Sequence, residues 1–198
     1  MKSAMRLTCS LAGALVLTAT GAAPAFAQDH DAHSRSVQQI QTADQKKQAN
    51  SLVRIVREST VRFRDAAVAD SEGYGLLFGC VSGGEYGAMG LHYVNFPLVA
   101  DGQIDATKPE IVLYEPTPNG GLRITGVDYL VFAADWNQTH TSAPELNGQL
   151  FHFFDAPNRY GLPPFYTLHV WAWKDNPTGT FTNWNPKVSC DGFNGQQD

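Results

Sequence analysis

Cysteine is scarce in this chain. Only Cys9, Cys80 and Cys190 occur in 198 residues, and no two form a CxxC pair. That argues against four-thiolate zinc or iron–sulfur frames, which need clustered thiolates. Charge is also scarce, at 17%, and acids outnumber bases for a net charge of -5. Without a basic patch the chain lacks the electrostatic footprint of a nucleic-acid binder, and nothing draws it to anionic lipid. Past the first 27 residues no apolar run is long enough to span a bilayer. The GxxxxGK[ST] phosphate loop, the GxGxxG dinucleotide turn, the GxSxG elbow and the HxH and HExxH metal spacings are all absent. A serine triad has no support around Ser82, and nothing pairs Glu85, Glu115, Asp128 or Asp155 as glycosidase carboxylates.

Hydrophobic residues are 43% of the chain, enough for a packed core. The first 27 residues read as a signal peptide. MKSAMR is a charged leader, LTCSLAGALVLTATGAA is an apolar stretch, and Ala25-Phe26-Ala27 fits the small-x-small cleavage rule. Cleavage there starts the mature chain at Gln28 and removes Cys9. Cys80 and Cys190 then remain, and in a secreted or periplasmic protein they are expected to pair. The bridge closes a loop of about 110 residues, worth roughly 4–5 kcal/mol in the chain-entropy account.

Residues 28–48 are polar, without an aromatic, and read as a flexible arm running into a helix. From Asn50 to Gly73, Leu52, Val53, Ile55, Val56, Val61 and Phe63 recur at near-helical spacing with arginines between them. That pattern predicts one amphipathic helix of about 20 residues. The period then shortens. LLFGCV (76–81), LHYVNF (91–96), EIVLYEP (110–116), LRITGVDYLVFAA (122–134), LFHFFD (150–155) and FYTLHVWAW (165–173) read as strands or short apolar segments. TPNGG (117–121) marks a hairpin turn. The expected fold is α+β, with the N-terminal helix packed on a mainly antiparallel sheet, in one domain from residue 49 to 198.

The run CVSGGEYGAMGLHYVN, followed by EIVLYEP, LRITGVDYLVF and YTLHVWAWKDNPTGTFTNWNPKVSC, resembles a group of uncharacterised exported bacterial proteins. The resemblance covers about residues 50 to 192. It implies an exported soluble domain and brings no activity, cofactor or catalytic residue with it.

The residues themselves suggest several sites. His92, His152 and His169 each lie in or beside an apolar strand segment. Three converging imidazoles make a transition-metal site, with Zn or Cu the first candidates, and Glu115 or Asp128 could add a carboxylate or orient a ring. The bland alternative is that each histidine is a hydrogen-bonded core residue. The Gly-rich stretch SGGEYGAMGLHYVN reads as a tight bend that delivers Glu85, Met89, His92 and Asn95 together. Met89 is either a soft ligand for copper or core filling. Trp171 and Trp173 lead an aromatic set that could line a pocket or fill the core. The expected mature terminus Gln28-Asp29-His30 has the amine–amide–imidazole order of a square-planar chelate, which cyclisation of Gln28 would destroy.

Three functions follow. The first is an exported domain that binds a small ligand or transition metal in a His/aromatic pocket. The second is a metal-free structural or partner-binding envelope protein. The third is a metal-dependent enzyme activating water.

Overall fold

A computed structural model of the chain describes residues 41–195. The expected leader, most of the polar arm and the Gln28–His30 chelate lie outside the described residues. Helix α1 runs Ala43–Thr60 and starts with a capping box, in which Thr42 accepts from Gln45 N and the Gln45 side chain accepts from Thr42 N. It thus begins within the segment read as an arm. The single helix expected to reach Gly73 is broken. A short 3-10 turn, Val61–Arg64, follows α1, and Asp65 caps a second helix, α2 (Ala66–Ser71), by accepting from Ala67 N. The break falls where Thr60 turns its hydroxyl back to Val56 O (2.6 Å), a bond that competes with helix propagation. Hydrophobic period alone does not show this local competition.

Among the described residues eight strands follow: β1 Gly75–Ser82, β2 Ala88–Val94, β3 Ile111–Pro116, β4 Leu122–Phe132, β5 Glu145–Leu146, β6 Gln149–Leu150, β7 His152–Phe154 and β8 Phe165–Val170. Two short helices interrupt them, α3 (Phe96–Val99) and α4 (Ala133–Trp136). Six strands form one sheet in the order β1-β2-β3-β4-β8-β7, every pair antiparallel. β5 and β6 form a separate pair. The β3–β4 hairpin closes at the predicted turn, where Thr117 N donates to Gly121 O (2.8 Å). The structure is therefore α+β with an antiparallel sheet, and Cys80 is bonded to Cys190. That bridge is consistent with an oxidising compartment. Among the described residues no helix is long and apolar enough to cross a membrane.

Two buried clusters divide the core. One contains Leu52 and Val56 of α1 with Val127, Tyr129, Leu168 and Val170. The other contains Phe63, Tyr74, Leu91, Leu113 and Tyr114, and the Tyr114 hydroxyl donates to Phe63 O (2.7 Å). Strand alternation turns the chain neighbours of Val127, Tyr129, Leu168 and Val170 to the opposite face. Those neighbours include Asp128, Thr167 and His169, and they found the candidate site.

Candidate metal centre

Register decides what meets on that face. Val94 pairs with Ile111, Ile111 with Asp128, and Asp128 with His169, a continuous row across β2, β3, β4 and β8. His92 lies two residues from Val94, so it shares the face. One ligand atom from each of His92, Asp128 and His169 lies within 4.8 Å of the others, and all three residues are buried. The rings of His92 and His169 meet edge-on with centroids 6.0 Å apart.

Each of the three is held differently. Nδ1 of His92 is 3.2 Å from Gly90 O. A carbonyl only accepts, so Nδ1 carries the proton and Nε2 keeps a free lone pair. Gly90 adopts φ 88°, and a Cβ there would lie 2.3 Å from Tyr114 O. Asp128 Oδ1 accepts from the Thr167 hydroxyl and lies 3.5 Å from His169 Nδ1. His169 is the unusual member, since both ring nitrogens are buried without a hydrogen-bond partner. The Asn183 side chain acts on the ring as a hydrogen-bonding neighbour and raises the His169 pKa, but Asn183 Oδ1 is itself buried outside strict hydrogen-bonding geometry. Trp171 flanks the His169 ring at 6.0 Å.

Electrostatics favours ligand-ready protonation states. Burial pushes His92 down to about 4, helped by His169, and pushes His169 down to about 3, helped by His152. Both rings are neutral at pH 7. Burial raises Asp128 to about 6, although the Thr167 hydroxyl and His92 pull it back. A second buried acid, Glu110, is raised to about 8 by burial while its Oε2 accepts from Leu130 N (3.1 Å). It is not in the group.

Above the group lies a cavity of about 30 Å³. That is room for a single water-sized occupant or little more. Its walls include Phe78, Met89, Ile111, Leu130, Tyr160 and Leu162. Phe78 enters from a bulge in β1, where the register shifts between Leu77 and Cys80 and Phe78 takes φ 67°. A bulky residue in the left-handed region is strained, and such strain collects at sites. The ring of Phe78 meets Tyr160 at 5.7 Å, and the Tyr160 hydroxyl donates to Met89 Sδ (3.5 Å).

The other sequence candidates fall elsewhere. His152 pairs with Thr167 and so shares the face, but it is exposed and outside the group that Asp128 joins instead. Glu115 is buried and has its own cations, accepting from Lys174 Nζ and from Arg123 Nη1 (3.4 Å). Asn95 caps α3 and donates to Glu72 O (3.1 Å). Trp171 donates to Thr182 O (2.6 Å) and Trp173 to Thr60 Oγ1 (3.0 Å), and neither lines the cavity. Met89 does line it. Sequence reasoning missed Phe78, Tyr160 and Asn183, whose loop and bulge positions carry no periodic signal.

No protein-family model, no curated protein and no solved structure matches this chain.

Proposed function

We propose that this protein is an exported domain that binds a transition metal, Zn or Cu, through His92, Asp128 and His169. The observation that carries the reading is the pair of buried, unpartnered nitrogens on His169, beside a buried carboxylate and an imidazole with a free Nε2. A buried polar atom left unpaired costs about 1–3 kcal/mol. A metal ion takes one of the two His169 nitrogens, removes that cost there, and needs these donor types. Such an ion, if held by these three protein ligands alone, would have an open position and could supply Lewis-acid chemistry to a bound water. The charged MKSAMR leader, its small-residue cleavage site and the disulfide support export. The cluster that Leu52 and Val56 form with Val127 and Val170 supports α1 as cover for the opposite face of the sheet.

A metal-free core has one observation in its favour. Asp128 Oδ1 is 3.5 Å from His169 Nδ1, so a small closing movement would let Nδ1–H donate to the carboxylate. Elemental mass spectrometry on the untagged protein, purified from a periplasm, separates the two. About one Zn or Cu per chain, lost in His169→Ala, is the expected result. A wild-type chain that holds no metal after reconstitution with either ion overturns the proposal.

A further inference from the structure

We infer that this centre is built for monovalent copper, with the Met89 thioether as a ligand beside His92, Asp128 and His169. This rests on the metal-binding reading and names the ion.

Met89 is buried and lines the same cavity as the three other groups. That placement needs a local device. Met89 and His92 are three residues apart, and a regular strand would turn them to opposite faces. Gly90 stands between them at φ 88°, next to a register shift at Val81/Ser82, and the alternation fails there. The same glycine that orients His92 through its carbonyl thus lets Met89 reach the cavity.

The sulfur is also oriented. The Tyr160 hydroxyl donates to Sδ at 3.5 Å, which occupies one sulfur lone pair and leaves the other free. A hydroxyl donor is an odd companion for a methionine that only fills space.

Charge and softness then select the ion. The cavity offers one carboxylate, two imidazoles and a thioether. Monovalent copper on Asp128 gives a neutral centre, whereas Zn(II) leaves a net positive charge against Phe78, Ile111, Leu130 and Leu162. Burying an uncompensated charge among apolar walls is costly. Thioether and imidazole ligands suit Cu(I), while Zn(II) gains little from a thioether.

The test is competition titration of the secreted protein with Cu(I), under anaerobic conditions against a chromophoric chelator, and separately with Zn(II). Met89→Leu keeps the volume of the side chain, and a thermal melt checks its fold. Cu(I) affinity is expected to fall at least tenfold in Met89→Leu while Zn(II) affinity stays within about twofold. X-ray absorption on the Cu(I)-loaded wild type needs no variant. The cysteines at 80 and 190 are bonded to each other, so a sulfur ligand that vanishes in Met89→Leu is Met89. Metal binding with unchanged Cu(I) affinity in Met89→Leu, or a copper spectrum without sulfur, overturns the inference and leaves the metal reading standing. A wild type that binds neither ion sinks both.

Discussion

His169 sits two residues along β8 from Thr167 and directly across from Asp128, yet neither of its nitrogens is satisfied. The residues around it set how the site responds to pH. His92 and His169 are pushed down to about 4 and about 3 by burial, so protons do not compete for them near neutrality. Asp128 is pushed up to about 6, so it is the group that takes a proton first as pH falls. A metal bound here displaces that proton only below pH 6. Metal affinity is therefore expected to be flat from pH 8 to 6.5 and to drop about tenfold per pH unit between roughly 6 and 4. Isothermal titration across that range checks it. A fall centred near pH 6.5 to 7 would assign the competing proton to an ordinary histidine instead. Asp128→Asn should remove the step at 6 and weaken binding at every pH.

β2 carries more of the site than its length suggests. Its seven residues place Met89 and the His92 ring on one cavity and the Gly90 carbonyl against that ring, with a glycine in the left-handed region as the pivot. Gly90→Ala puts a Cβ against Tyr114 O and forces φ 88° on a residue that avoids it. A loss of about 1–3 kcal/mol in denaturant unfolding is expected. Metal affinity should fall as well, because the carbonyl that fixes the His92 tautomer shifts. A variant of wild-type stability and affinity would show that this backbone conformation is not required. The strand itself was legible from its apolar run, but its start was not. Ala88–Gly90 belong to the strand, whereas the glycine content of 83–90 reads as a bend throughout. Glycine density reports conformational freedom, not whether the chain pairs with a neighbour. The α1 break is a similar case. Apolar spacing runs through Thr60, and only the hydroxyl bond to Val56 and the Asp65 cap mark where one helix ends and another begins.

At the scale of the molecule, the disulfide joins edge strand β1 to the C-terminal segment across 110 residues. The same segment meets β2 through a bridge between Ala88 and Asn185, with reciprocal backbone bonds of 3.2 Å. The bond therefore braces the strand that carries Phe78 and the start of the strand that carries Met89 and His92. Replacing both cysteines with alanine should cost about 4–5 kcal/mol in the chain-entropy account. For a chain of this size that is a fall in Tm on the order of 10 °C. Differential scanning calorimetry of the oxidised protein and the double variant measures it, and equal melting temperatures would refute the brace. Metal affinity should weaken with it, since β1 and β2 frame the cavity.

Composition and periodicity alone determined the α+β class, the strand segments, the β3–β4 hairpin and the pairing of the two cysteines. These depend on local pattern, or on the scarcity of alternatives. Histidines in apolar strands already pointed to a buried polar site, because an imidazole there needs a partner. Which partner it found was a matter of register, and register is a property of two strands, not of either sequence. Placing Asp128 opposite His169 brought a carboxylate into the group and left His152 on the exposed edge. The cavity walls came from still farther apart, from a bulge at Phe78 and a loop at Tyr160 that meet only when the sheet is assembled. One residue of slip in any pairing would turn these side chains to the other face, so tertiary structure alone could decide the site.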